Sequence, residues 1–367
     1  MKTQISVIAL ACSFAGLAAP ALADTIRATS AFGPNHAVAR NVYPTMFARL
    51  EALTDGRWTG QDTPSGLVAP TEMSTALRDG VSDFGPLLMP YFIAEYPDAA
   101  MVSELSMLGS SAPVVSSAVT EYIVTCAPCQ AEFSRNGQVY LGSDATPLYQ
   151  LMTTRPVASV ADMRGLKLRS GSPFYAAFIE SLGGVAVQMP SSELFESLSQ
   201  GVIEGTFSSP HEIIANRLGD VIGHVTEIDQ GTFNAAAIAT ASRMLWDRMS
   251  VEDRAALARA AQEGVAAGMA AFDEQIAQIR AEEMVDFLTP DADLIAARDA
   301  FNADRLANAA AILEARGVED AQAKIDRYVA LIAKWEGLIT PGMSVEDLGA
   351  LREREIWSGV DLASYGQ

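Results

Sequence analysis

Four cations, Arg155, Arg164, Lys167 and Arg169, are opposed only by Asp162, so residues 155–169 carry a local charge of +3. The whole chain pulls the other way, with 25 Lys and Arg against 45 Asp and Glu. A protein this acidic repels anions at long range, so an anion site has to be built locally from fixed guanidinium groups. Arginine suits that task because its planar fork meets a carboxylate through two parallel hydrogen bonds. Arg169 ends an apolar stretch and precedes Ser170-Gly171-Ser172, small residues that leave room beside the guanidinium. Arg164 and Lys167 read equally well as a solvated basic face.

Cys126 and Cys129, in Cys-Ala-Pro-Cys, form the other chemically suggestive pair. A C-x-x-C pair closes a local disulfide in an oxidising compartment, acts as a redox dithiol at a helix start, or supplies half a zinc site. No second C-x-x-C exists, and the histidines stand far off at 36, 211 and 224, so the local disulfide fits best. No H-E-x-x-H, G-x-S-x-G, Walker or Rossmann glycine pattern is present. The sequence therefore points to no catalytic residue, no metal-ligand spacing and no cofactor.

Composition narrows the partners. The chain of 367 residues is 49% apolar and 19% charged, too apolar for disorder and too acidic for a nucleic-acid binder. Lys2, Lys167, Lys324 and Lys334 are its only lysines, so no polybasic tract faces anionic lipid. Lys2, an apolar run from Ile5 to Leu17 and Ala21-Leu22-Ala23 have the layout of a secretory signal peptide over residues 1–23, cleaved before Asp24. Its loss leaves a net charge of −21, because it contains one lysine and no acid. No later apolar run is long enough to span a bilayer, so an exported protein without stable membrane insertion is expected.

The elements that must hold these residues follow an α/β pattern. A strand is predicted over 25–29, a helix over 38–53 delayed or kinked by Pro44, and further strands near 58–63 and 84–89 around a helix near 71–78. The alternation returns after Arg155 with strands at 166–169, 185–189 and 203–208 and helices at 173–182 and 192–200. Two lobes of similar construction follow, each with a largely parallel sheet. Ligands bind beyond the carboxyl ends of parallel strands, which is where Arg169 falls. The turn residues Phe32, Asn35 and His36, and Tyr91 after the third strand, are candidates for the facing wall by position. Phe174 and Tyr175 are candidates for an apolar floor. Ser250-Val-Glu-Asp253 is a capping box, and apolar residues at helical spacing continue toward Phe287, a helix long enough to run across both lobes. We place lobe I at 24–146 with 236–270 and lobe II at 147–235 with 271–367.

Ala161-Asp-Met-Arg-Gly-Leu-Lys-Leu-Arg169, Leu182-Gly-Gly184, Met189-Pro-Ser-Ser-Glu193, Leu198-Ser-Gln-Gly-Val-Ile-Glu-Gly205 and Pro210 come in a specific order. With Thr54-Asp-Gly56, Leu77-Arg-Asp-Gly-Val-Ser-Asp-Phe84 and Trp246, this series resembles the DctP-type periplasmic solute-binding proteins of TRAP transporters over most of residues 25–285. The resemblance implies a periplasmic-binding-protein-like (type II) fold. It also implies closure on a small organic anion and delivery to the small and large membrane subunits of a TRAP permease. Arg169 then clamps the ligand carboxylate, and Arg155 in Thr154-Arg-Pro156 matches a second family arginine. Ser209 stands where the family often has asparagine, which replaces an amide by one hydroxyl, and Ser172 lies beside the clamp. Two rival readings are an exported thiol-disulfide oxidoreductase using Cys126 and Cys129, and an anion-binding protein serving an ABC permease or a sensor.

Overall fold

The computed structural model describes residues 23–64 and 67–367; the expected signal peptide lies outside the described residues but for Ala23. Among the described residues eleven strands form two sheets. In chain order they are β1 (Asp24–Ala28), β2 (Trp58–Asp62), β3 (Phe84–Leu88), β4 (Gln138–Asp144), β5 (Gln150–Thr153), β6 (Lys167–Ser170), β7 (Val185–Gln188), β8 (Gly205–Ser208), β9 (His224–Thr226), β10 (Ala236–Ser242) and β11 (Asp286–Leu288). The first sheet runs β2-β1-β3-β10-β4 and the second β11-β9-β5-β8-β6-β7.

Neither sheet is wholly parallel. β10 is antiparallel to both β3 and β4, and β5 is antiparallel to both β8 and β9. The consequence is geometric. The residues that precede β5 and β10 emerge at the same sheet edge as the residues that follow β8 and β3. The pairs Gln150–Ser208 and Ala236–Leu88 mark those edges.

The long helix runs from Val251 to Ala281, 31 residues or about 46 Å. Ser250 Oγ accepts from Asp253 N at 3.1 Å, which satisfies one of the free N–H groups of the first turn. Its first half packs on helix Tyr43–Leu53 and on β4, while Ile279 near its end joins the apolar cluster under the second sheet. Gly264 and Gly268 permit that approach: an added Cβ would lie 2.6 Å from Val42 O and 2.4 Å from Val42 Cγ2. Val42 closes a π-turn, Val38–Val42, that leads into helix Tyr43–Leu53. Pro44 therefore sits in the first turn of that helix, where a missing N–H costs nothing.

Residues 321–367, grouped above with lobe II, pack on the first lobe instead. Helix Ala321–Leu338 lies against helix Ala112–Val124, and Trp335 Nε1 donates to Glu121 Oε2 at 2.8 Å. Helix Val345–Arg352 lies on the long helix and brings Arg352 fully inside. The Arg352 guanidinium donates to Ser116 Oγ (2.6 Å), Thr120 Oγ1 (2.8 Å) and Gln262 Oε1 (3.1 Å), partners that only the first lobe and the long helix supply. Among the described residues no helix is long and apolar enough to cross a membrane.

Candidate functional site

Arg169 lies near the end of β6 with its side chain 2% exposed. Its Nε donates to the Met189 carbonyl at 2.8 Å, and Nη2 donates to Tyr91 Oη across the lobes at 3.4 Å. Nη1 is buried without a partner. A buried guanidinium N–H left unpaired costs about 1–3 kcal/mol. Burial favours loss of the charge, but Tyr91, Tyr149 and Glu212 outweigh it and hold the guanidinium above its ordinary value. Gly171 makes the room: a Cβ there would stand 3.1 Å from both Nη1 and Nη2.

The cavity in front of Arg169 is about 40 Å³, the room of one or two waters. An organic acid can enter only if the lobes part or the wall side chains turn. From the first lobe come Phe32, His36, Leu88, Tyr91 and Asp144; Phe233 lines it just before β10, and Ala236 and Ile238 from within that strand. The second lobe supplies Tyr149, Arg169, His211 and Glu212, and Phe272 comes from the long helix. Of these, Asp144, Tyr149, Phe233 and Phe272 were not candidates in the sequence, and neither were the polar neighbours His211 and Glu212. The last two follow β8 by three and four residues, at the same edge as Arg169.

Their electrostatics are set by burial. It raises the Glu212 carboxyl to about 7 against the pull of Arg169, and lowers His36 to about 3. Burial, and then His36, push His211 well below the usual imidazole range. Both histidines are therefore neutral at pH 7. Val38 N donates to His36 Nδ1 at 3.2 Å, and the His36 ring stacks on Phe32 at 4.0 Å. Neither His211 nitrogen has a partner. One nitrogen from each histidine and one Glu212 oxygen lie within 4.8 Å of one another, close enough to consider a metal ion. Asp144, pushed up to about 8 by burial despite Arg352, is mostly protonated at pH 7.

The structure thus brings Arg169, Phe32, His36 and Tyr91 together and leaves other expected residues outside. Arg155 is exposed, its Nη2 donating to Asp162 O at 3.2 Å. It follows β5, and because β5 runs antiparallel to β8 that end of the strand faces the edge opposite Arg169. Phe174 is buried in the core against Tyr175 and Phe301, one layer behind the cavity; Tyr175 in turn stacks on Tyr149 at 4.5 Å. Ser172 precedes helix Pro173–Ser181, and its carbonyl accepts from Ser170 Oγ at 2.5 Å. Ser209 is buried with an unpartnered Oγ and accepts from Glu212 N through its carbonyl at 3.1 Å. Neither serine lines the cavity.

Cys126 and Cys129 form the expected disulfide, and both residues are buried, 3% and 0% exposed. A larger groove of about 460 Å³ between the long helix and residues 339–348 is lined by Asp273 and Glu336 without a cation, so it has nothing to hold an acid.

A solute-binding protein from Verminephrobacter eiseniae is 30% identical over 135 residues, 35% of this chain and 40% of its own length. The C4-dicarboxylate-binding periplasmic protein DctP of Rhodobacter capsulatus is 26% identical over 186 residues, half of each chain. The chain thus spans half or less of the length of these relatives. Among solved structures, a TRAP periplasmic solute-binding protein from Bordetella bronchiseptica with bound mandelate superposes with a TM-score of 0.73 at 24% identity, covering 85% of this chain and 99% of the other. A marine metagenome TRAP solute-binding protein specific for aromatic acids, holding metahydroxyphenylacetate, gives 0.75 at 20% identity, with the same coverage. These likenesses fix the two-lobed fold. The family model for bacterial extracellular solute-binding proteins, family 7, matches residues 30–292, and this chain belongs to that family, DctP.

Proposed function

We propose that this protein captures a small organic acid in the periplasm by lobe closure and hands it to the membrane subunits of a TRAP-type permease. The observation that carries the reading is the Arg169 guanidinium, buried and charged, with Nη1 unpaired at a cavity between two lobes. A carboxylate there accepts two charge-assisted hydrogen bonds and replaces the water the cation would otherwise need. The apolar walls, Phe32, Leu88, Phe233, Ile238 and Phe272, favour an acid with an aromatic or compact apolar body. Similar folds with bound mandelate and benzoate agree with that chemistry.

The contact between Tyr91 of the first lobe and Arg169 of the second supports closure, since it joins the two walls of the cavity. A ligand carboxylate adds bonds that exist in the closed arrangement alone and shifts the population toward it. Burial of both cysteines speaks against thiol exchange, the chemistry an oxidoreductase would need.

The test is a thermal-shift panel of monocarboxylates, dicarboxylates, sugar acids, aromatic acids and neutral sugars. Binding to the folded state raises the melting temperature by RT ln(1 + [L]/Kd) in free energy. A rise with one acid class that is lost in Arg169→Ala supports the reading; a rise with neutral sugars only refutes it.

A further inference from the structure

We infer that His36, His211 and Glu212 form a second polar subsite that reads a hydroxyl group, so the preferred ligand is a hydroxylated carboxylate. The inference rests on the carboxylate reading of Arg169 and names which acids that site selects.

The cluster is too polar and too enclosed to be packing. His211 is fully enclosed, yet neither ring nitrogen has a partner, and its ring lies 4.3 Å from Phe272 and 5.7 Å from His36. A neutral imidazole offers one donor and one acceptor, and leaving both unpaired in a closed site is a standing cost. Glu212 adds an acceptor; Asn216 Nδ2 donates to its Oε2. His36 adds a donor. The Val38 N–H occupies Nδ1 as an acceptor, so the neutral ring carries its proton on Nε2, which has no partner among the described residues.

A hydroxyl is the group that both donates and accepts. Three atoms no more than 4.8 Å apart can all be reached by one oxygen at about 2.8 Å, the length of an ordinary hydrogen bond. A metal is less well served, because the N–H that Val38 directs at Nδ1 leaves the proton of the neutral His36 ring on Nε2. Arg169, His36, His211 and Glu212 line the same cavity, so one small molecule spans both groups.

Two matched pairs test this by titration calorimetry: 3-hydroxybenzoate against benzoate, and mandelate against phenylacetate, on the full protein and on His211→Phe and His36→Phe. Phenylalanine keeps the ring contacts with Phe272 and Phe32, and a thermal melt checks that each variant folds. In the wild-type protein at least one hydroxylated acid binds tenfold or more tightly than its parent. In at least one variant that ratio falls to within twofold. Equal affinity in both wild-type pairs, or a ratio that survives both substitutions, overturns the inference. So does a chelator-treated protein that binds one Zn2+ per chain and loses it in His211→Phe, which would make the cluster a metal centre. If Arg169→Ala leaves every affinity unchanged, the carboxylate reading itself fails and the hydroxyl reading falls with it; a parent acid that binds through Arg169 with no hydroxyl preference removes this inference alone.

Discussion

Replacing Arg169 by lysine keeps a positive charge and removes the fork, which separates the contribution of geometry from that of charge. The lysine ammonium cannot reproduce the Nε bond to the Met189 carbonyl while presenting two parallel donors to a ligand. At least one charge-assisted hydrogen bond is therefore lost, worth about 1.5–3 kcal/mol, or a dissociation constant roughly 10- to 150-fold higher. Arg169→Ala removes the charge as well and leaves a ligand carboxylate desolvated with no cation. Truncating one partner of a buried charge pair costs about 2–5 kcal/mol, or roughly 30- to 5,000-fold. The expected order is wild type, then lysine, then alanine, measured by titration calorimetry with one acid that shifts the melting temperature of the wild-type protein. Circular dichroism melts confirm that each variant is folded. Affinity within threefold of wild type in either variant would refute the clamp, because no arrangement of a buried fork makes its loss neutral.

Gly171→Ala should weaken the same ligand several-fold without unfolding the protein, since the added Cβ meets both terminal guanidinium nitrogens at 3.1 Å; a ligand titration against an unchanged melting curve checks it. Glu212 holds its proton to about pH 7 when folded and loses it near 4.5 when unfolded, so it favours the folded state most below pH 4.5 and that advantage fades as the pH rises through 7. The full effect is roughly 3 kcal/mol. Glu212→Gln should therefore gain stability over wild type at pH 8 and lose that gain toward pH 5, read from paired denaturant curves. Replacing Cys126 and Cys129 by serine should cost about 2 kcal/mol, as a short closed loop implies. The native protein should resist mild reductant and show no insulin-reducing turnover, because both sulfurs are buried.

Periodicity and caps made much of the scaffold legible. The Ser250 cap, the long helix and the β-branched opening strand stand where residue types place them. β10 was hidden because Ala236-Ala-Ile-Ala-Thr-Ala-Ser242 has little β-propensity, and it is held by pairing on both sides instead. That strand and β5 reverse the local direction of their sheets, and the reversal decides which residues share the site. Arg155 enters as a candidate through the resemblance alone; with β5 reversed it falls at the opposite edge, and Tyr149, which precedes that strand, lines the cavity instead. His211 and Glu212 were within reach of the rule that located Arg169, since they follow a strand that lies parallel to β6.

The first lobe is assembled from three distant stretches of chain: β1 to β4, β10 with the first half of the long helix, and residues 321–367. Tyr365 Oη donates to the Tyr140 carbonyl at 2.7 Å, Trp246 Nε1 donates to the Tyr365 carbonyl at 3.0 Å, and Arg352 is the buried hub of the serine and threonine hydroxyls around it. Five of the six strands of the second sheet, by contrast, follow one another between residues 150 and 226. A chain threaded across a membrane from its N-terminus would thus have most of the second sheet available while the first lobe still waited for its closing segment. Loop-closure entropy sharpens the contrast, because contacts of high sequence separation form late. For such a chain the strands β5 to β9 around Arg169 are all present before residues 321–367, which complete the first lobe, emerge.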